Sequence, residues 1–142
     1  PAGRVEESMV SAYDFMPTLL DYLSLPNNTG EKEPGSSFAP MLLGETMKGR
    51  DDVVIFDEYG PVRMIRTEEW KYVYRHAHGP HELYDLVSDP DERANLIAEP
   101  AHKDRIAGLK ARMDAWFAQY VDARKDGLLQ DGAARGQTSL VP

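Results

Sequence analysis

Three histidines in the middle of the chain are the side chains best suited to chemistry. His76, His78 and His81 lie within six residues, in the stretch HAHGPH. Imidazole binds zinc or copper, and it also exchanges hydrogen bonds near neutral pH. A structural zinc site needs a fourth ligand and a defined spacing, which this stretch does not supply. A metal site, a set of hydrogen-bonding groups for a substrate and a polar surface loop all remain open, and the residue pattern favours the surface loop.

A second polar group follows the apolar run VVIF. Asp57, Glu58 and Tyr59 come directly after that run, and the turn-forming pair Gly-Pro follows them. Two acids and a tyrosine at the end of a strand could face a substrate. They could equally be a solvated strand end, which is the alternative we favour.

Two arginines on the next predicted strand raise the same question. Arg63 and Arg66 carry planar guanidinium groups, which bind oxyanions such as sulfate through two parallel hydrogen bonds. The acids Asp57, Glu68 and Glu69 are close by in sequence and offer cross-strand ion pairs instead. We favour the structural role for both arginines.

The residues around these groups have the pattern of β-strands. In WKYVYR, residues 70–75, aromatic side chains alternate with other types, as in a half-buried strand. The neighbouring stretches VRMIRT and HELYDL are separated from it by short polar breaks, which favour antiparallel pairing. We expect Val73 and Leu83 to share one sheet face. The run VVIF, residues 53–56, predicts a strand buried on both faces.

A long helix should cover this sheet. It is predicted from Pro100 to Arg124, since proline suits the first turn. Apolar and aromatic side chains recur there at steps of four and three residues. The predicted stripe consists of His102, Ile106, Leu109, Met113, Trp116 and Tyr120. The predicted class is therefore α+β, a four-stranded antiparallel sheet packed by a long C-terminal helix.

A shorter helix is predicted near the amino end, in the stretch DFMPTLLDYL. Its Asp14 should accept hydrogen bonds from the free N–H groups of the next turn, and Pro17 fits the first turn. A metal-ligand role for Asp14 is the alternative, and we favour the capping role. The preceding residues, 8–13, look extended.

Composition excludes several classes of function. The 142 residues carry a net charge of −8, which disfavours nucleic acid and anionic membranes because both require a basic face. No apolar run approaches the roughly 18 residues of a transmembrane helix. The chain has no cysteine, so disulfides and thiolate metal sites are excluded, while the redox compartment stays open.

Four stretches occur in a fixed order along the chain. They are AYDFMPTLLD from residue 12, GSSFAPMLLG from residue 35, DVVIFDE from residue 52, and RMIRTEEWKYVYR followed by ELYDLVSDPDERANL from residue 63. Together they resemble the C-terminal end of sulfatases in the alkaline phosphatase superfamily, over roughly residues 1–120. The resemblance implies three segments: residues 1–50 as the tail end of a large α/β domain, 51–125 as an antiparallel-sheet subdomain, and 126–142 as a flexible tail.

The resemblance also implies a catalytic apparatus that this chain does not carry. Sulfatases use a formylglycine nucleophile, made from the first residue of Cys/Ser-x-Pro-x-Arg, together with a calcium ion, and both lie upstream of this region. No serine of this chain sits in such a motif, and the chain starts at Pro1 without a methionine. We therefore expect a C-terminal fragment, inactive alone, with no catalytic or metal-binding residue of its own and with an N-terminal catalytic domain as its missing partner.

The implied substrate is a sulfated small molecule or glycan, and a periplasmic or secreted location fits the family. C-terminal loops of sulfatases line the mouth of the active site. The resemblance thus places near the substrate the side chains His76, His78, His81, Glu58, Tyr59 and Arg63. The alternatives are a phosphodiesterase or phosphonate monoester hydrolase of the same superfamily, and a non-catalytic interaction module. A severed piece should expose apolar surface at Phe15, Leu19 and Leu23.

Overall fold

The computed structural model describes residues 3, 5–28, 30, 33–57, 61–76, 79–124, 126 and 128. The chain forms two compact units, Pro1–Val53 and Val54–Pro142. Within the described part, no helix has the length and apolar character needed to cross a membrane.

The first unit contains two short helices, α1 (Phe15–Tyr22) and α2 (Ala39–Leu42). A 3-10 turn, Ala12–Asp14, leads directly into α1. The expectation of an extended segment over residues 8–13 is therefore wrong at its end, because the chain is already coiling at Ala12. The predicted helix near residue 14 is present, and its proline lies in the first turn, where the missing N–H has no helical partner to lose.

Asp14 is the polar centre of this unit. Its side chain is 2% exposed and does not cap α1, so the predicted capping role is wrong. The carboxylate instead accepts hydrogen bonds from the backbone N–H groups of Ser11 and Ser36, each at 2.8 Å. It also accepts two hydrogen bonds from the Arg50 guanidinium, one from Nε to Oδ2 at 2.7 Å and one from Nη2 to Oδ1. Arg50 in turn donates to the Pro34 carbonyl at 2.6 Å, so this ion pair joins three segments of the unit: residues 11–14, residues 34–36 and Arg50.

The two sequence motifs of this unit, AYDFMPTLLD and GSSFAPMLLG, contact each other through their polar residues. Beside the Asp14–Ser36 bond, the Phe38 N–H donates to Thr18 Oγ1 at 3.0 Å. Ser37 Oγ donates to Asp21 Oδ2 at 2.5 Å and accepts from the N–H of Ala39, the first residue of α2, at 3.1 Å. Gly35 passes so close to the Tyr13 carbonyl that an added Cβ would lie 2.1 Å from its oxygen, which requires glycine at this position.

The second unit is built on the predicted sheet. Its strands are β1 (Val53–Phe56), β2 (Val62–Arg66), β3 (Trp70–Arg75) and β4 (Glu82–Asp85), which lie in the order β1-β2-β3-β4. The β2–β3 and β3–β4 pairs are antiparallel, and the four-stranded antiparallel prediction is confirmed.

The register corrects one detail of that prediction. Leu83 lies opposite Tyr72, whereas Val73 lies opposite Glu82. Residues directly opposite each other share a sheet face, so Leu83 and Val73 point to opposite faces. The alternation was right, but periodicity within single strands does not fix their mutual register.

A long helix, α3 (Lys103–Tyr120), packs on one face of this sheet after a 3-10 turn, Pro100–His102. Between them lies the apolar core, formed by Val54, Ile65, Trp70, Tyr72, Leu83, Leu109, Met113 and Phe117. The predicted helix and its role as the cover of the sheet are confirmed.

The predicted stripe and the predicted buried strand both need correction. Phe117, which the stripe omits, is 5% exposed in the core, while Trp116 packs at its margin. Leu109, Met113 and Phe117 follow one another at steps of four, so the buried line turns gradually around the helix, whereas the predicted stripe runs nearly parallel to its axis. In β1 only Val53 and Val54 are buried, whereas Ile55 and Phe56 are exposed, so only the first half of this strand is buried on both faces.

Candidate functional site

Two of the predicted site segments meet at one end of the sheet. The His76 N–H donates to the Pro61 carbonyl at 2.8 Å, and the Asp57 N–H donates to the Val62 carbonyl at 3.0 Å. The connection after β1 and the connection after β3 therefore lie at the same end of the sheet. Three of the predicted site residues, Glu58, Tyr59 and His78, lie outside the described residues.

The structure brings two of the predicted histidines together around one tyrosine. The rings of His81 and Tyr74 are stacked, with centroids 4.8 Å apart and an angle of 24° between planes. The His76 ring lies 6.2 Å from the same tyrosine, whose hydroxyl is 3.3 Å from His76 Nδ1. Tyr74, which sequence reasoning treated only as a strand residue, is thus the platform of the cluster, and all three side chains are half-buried.

One nitrogen of His81 is already committed to the backbone. Nδ1 accepts a hydrogen bond from the Arg75 N–H at 3.2 Å. The pairing of β3 with β4 ends at Val73 and Glu82. Beyond that pair, the His81 ring accepts the Arg75 N–H in place of a backbone carbonyl from a neighbouring strand. An accepting Nδ1 leaves the proton of the neutral ring on Nε2. His81 therefore presents a hydrogen-bond donor on the side away from the backbone.

Asn95 fixes the chain at the start of β4, and sequence reasoning missed it. Its Oδ1 accepts from the Leu83 N–H at 3.0 Å and from the Ile97 N–H at 3.1 Å. Its Nδ2 donates to the His81 carbonyl at 3.1 Å. We name this set of three bonds the Asn95 clamp. The signal was the Asn-Leu pair that closes the matching motif, read there only as part of a turn.

Arg63 lies beneath this cluster, facing α3 and not the solvent. Its side chain is 4% exposed, and its guanidinium stacks 3.6 Å from the centroid of the Phe117 ring. It forms an ion pair with Asp126, 63 positions away. Burial lowers the pKa of Arg63, and the nearby Asp126 carboxylate opposes that shift. These contacts favour the structural role, with a partner that lies far along the chain from the acids considered beforehand.

The other cations around Tyr74 are paired as well. Arg75 Nη1 lies 2.6 Å from Glu82 Oε1 and also donates to the Pro80 carbonyl at 3.0 Å. Lys110 lies with its Nζ 5.3 Å from the Tyr74 ring centroid and 2.5 Å from Asp114 Oδ2. Arg63, Arg75 and Lys110 are therefore each neutralised by a carboxylate.

Histidine and acidic side chains are the possible metal ligands of the described residues. Within them, no three side chains of His, Asp or Glu come together in a group able to hold a metal ion. In the acidic turn after β4, Asp85 Oδ1 accepts from the Val87 and Ser88 N–H groups, and Asp89 Oδ2 accepts from the Ala94 N–H at 2.8 Å. Those acids thus stabilise the turn itself.

Comparison with known proteins gives a consistent picture. The family model described as N-sulphoglucosamine sulphohydrolase, C-terminal, matches residues 1–119. A Delta 4,5-hexuronate-2-O-sulfatase of Bacteroides thetaiotaomicron is 32% identical over 116 residues, which cover 77% of this chain and 24% of that protein.

Two solved structures share the fold. The structure of a 2-O GAG sulfatase superposes with a TM-score of 0.66 at 31% identity, covering 87% of this chain and 28% of the other. A phosphonate monoester hydrolase of Agrobacterium radiobacter superposes with a TM-score of 0.68 at 30% identity, covering 85% and 27%. The chain spans about a quarter of the length of the relatives it matches. By its sequence motifs, its sheet and its covering helix, the chain belongs to the family of sulfatase C-terminal domains typified by N-sulphoglucosamine sulphohydrolase.

Proposed function

We propose that the parent protein hydrolyses sulfate esters and that this chain is its C-terminal part. The observation that carries the proposal is the family match over residues 1–119, which continues through both units. A sulfated sugar is the substrate class that we propose, since a relative 32% identical is named for a sulfated hexuronate.

In this proposal the reacting groups lie in the part of the parent outside this chain. The chain has no cysteine and no serine in Cys/Ser-x-Pro-x-Arg, so it supplies no precursor for formylglycine. The described side chains likewise offer no set of ligands that fits calcium. A calcium ion in the parent would neutralise charge on the sulfate oxygens. This chain's own residues then bind the substrate and orient it.

Two surfaces of the chain have different roles: one packs on the catalytic domain, and the other contacts the substrate. The exposed apolar side chains of α1, among them Phe15 at 64% and Leu19 at 44%, form the face that packs on the N-terminal catalytic domain. With Tyr22 and Leu42 they line an open cavity of about 210 Å³. The cluster of Tyr74, His76 and His81 lies at the mouth of the active site and contacts the substrate. Residues 1–50 accordingly belong to the large domain and 51–125 to the subdomain. The predicted tail, residues 126–142, lies outside the described residues apart from Asp126 and Leu128.

The test is an assay of the full-length parent. Sulfate release should be measured from 4-nitrophenyl sulfate and from a sulfated uronic-acid disaccharide, beside the release of phenol from a phenyl phosphonate monoester. Sulfate release with a kcat/KM well above that for the phosphonate supports the proposal. Sulfate release by the 142-residue chain alone would contradict the assignment of the reacting groups.

A phosphonate monoester hydrolase is the second candidate. It is favoured by the solved structure with that activity in its name, which is 30% identical with a TM-score of 0.68. Faster turnover of the phosphonate than of either sulfate would place this candidate first.

A further inference from the structure

We propose that His81 recognises an uncharged hydroxyl of the substrate by donating a hydrogen bond from Nε2, and that Asn95 is the positioning residue for it. This inference rests on the proposed function and names the chemistry of the substrate group that meets this cluster. Three observations support it: the fixed state of the ring, the charge around it and the clamp behind it.

The ring of His81 is held ready to donate. Nδ1 is occupied by the Arg75 N–H, and the Tyr74 ring stacks on its face. Among the described residues, Nε2 has no hydrogen-bond partner, and it is not a buried polar atom. A donor held in one orientation loses little side-chain freedom when a ligand binds, which favours selective recognition.

The surrounding charge favours a hydroxyl over a second anion. Arg63, Arg75 and Lys110 are each paired with a carboxylate, Asp126, Glu82 and Asp114 respectively. A site for a sulfate or carboxylate group usually directs a cationic fork at it. Here the cations are neutralised by their partners, and the outward-facing donor belongs to a neutral ring. An uncharged oxygen matches this environment.

Asn95 determines where the ring stands. Its Nδ2 bond to the His81 carbonyl and its Oδ1 bond to the Leu83 N–H hold the main chain on both sides of Glu82. Without the clamp, the first residues of β4 are free to move, and the bond from Arg75 to Nδ1 lengthens. A displacement of about 1 Å at a recognition group is enough to weaken a directional hydrogen bond.

The test compares two substitutions in the full-length parent. In His81→Asn, the amide oxygen takes the place of Nδ1 and the outward donor is lost. In His81→Gln, the amide nitrogen reaches the place of Nε2. We define the substrate ratio as kcat/KM for the hydroxyl-bearing disaccharide sulfate divided by kcat/KM for 4-nitrophenyl sulfate, which has no hydroxyl. His81→Asn should lower this ratio on the order of 10-fold, and His81→Gln should lower it less.

His102→Asn is the matched control, because His102 packs on Trp70 at the other end of the sheet and should leave the ratio unchanged. Asn95→Asp keeps the acceptor and removes the donor, and it should lower the ratio by a smaller factor. A parent that releases sulfate, with an unchanged ratio in His81→Asn, overturns this inference alone. A parent that releases no sulfate overturns the proposed function as well. Nitrogen-15 NMR of the histidine rings gives an activity-independent measurement, in which a proton on Nδ1 of the neutral His81 ring would also overturn the inference.

Discussion

The two units of the chain place their apolar side chains in opposite ways. Of the thirteen buried apolar residues other than proline, ten belong to the unit Val54–Pro142. Of the thirteen large apolar residues found exposed, ten belong to the unit Pro1–Val53. These counts cover the described residues.

The difference shows two ways of holding a chain together. The second unit has an apolar core between the sheet and α3, and its stability comes mainly from burial of apolar surface. The first unit presents its apolar face outward and is organised around the Asp14–Arg50 pair. Directional polar contacts fix its shape, while the apolar face stays available for the partner domain that we propose. Such a unit should be less stable alone than the sheet and helix.

The largest effect is expected from the core of the second unit. Phe117→Ala removes a ring that is 5% exposed and that stacks under Arg63, and it should lower the free energy of unfolding by about 3–5 kcal/mol. Urea denaturation of the 142-residue chain, followed by tryptophan fluorescence, measures it. Tyr22→Ala, at an aromatic side chain 59% exposed in the first unit, is the control, and an equal loss there would contradict the comparison.

The next effect should be confined to the first unit. Arg50→Met leaves the buried Asp14 carboxylate without its cation, which should destabilise that unit by about 3 kcal/mol. Hydrogen exchange should show loss of protection in α1 with α3 unchanged. Lys48→Met is the matched control, since that lysine is 79% exposed and its pair with Asp51 contributes roughly 0–1 kcal/mol. Loss of protection in both units together would show that they unfold as one.

A smaller effect is expected from the Asn95 clamp. Asn95→Ala removes the acceptor of the Leu83 N–H and should destabilise the second unit by about 1 kcal/mol. Exchange of the Leu83 amide should accelerate more than that of Tyr72 on the central strand. Asn28→Ala, at an exposed loop position, should change neither rate. Equal acceleration at both amides would mean global unfolding with no local release of β4.

The smallest effect should appear on acidification. Burial by itself raises the pKa of Asp14, but hydrogen bonds from Arg50, Ser36 and Ser11 outweigh it, and the pKa lies below the ordinary 3.8. The charged carboxylate therefore stabilises the folded first unit above about pH 4, and this contribution is lost as the pH falls further. Exchange protection of α1 should drop between pH 5 and pH 3, more than that of α3. Asp14→Asn should abolish that difference in pH response.

The sequence predicted what depends on local repetition. Alternation in WKYVYR identified β3, and steps of three and four residues identified α3. Trp116 was predicted to be buried in place of Phe117, because two adjacent aromatic residues differ by only 100° on a helix and both fit an apolar face. The run VVIF was predicted to be buried on both faces, since an apolar run does not show how much of a strand its neighbours cover.

Contacts between distant residues were beyond this reasoning. Asp14 was predicted to cap its own helix, and its actual cation, Arg50, lies 36 positions later in a stretch read only as a polar connection. At the candidate site, His76 and His81 were selected by residue type. Their platform Tyr74 and the clamp Asn95 were missed, because a hydrogen bond or ring contact across strands requires the register. Which side chains pair depends on the assembled fold, whereas the spacing of apolar residues can be read within each segment of the sequence.

The Asn95 clamp has a consequence for how copies of this chain meet. An exposed sheet edge can pair with a strand of another molecule and seed aggregation. At β4 the Leu83 N–H is taken by Asn95 Oδ1, and the Leu83 carbonyl is taken by the Leu96 N–H at 2.8 Å. The residues that follow the acidic turn thus act as a surrogate neighbour along this edge. A strand of another molecule could pair with β4 only by displacing these residues. The Asn95 clamp, which also holds the His81 carbonyl, therefore disfavours self-association at this edge.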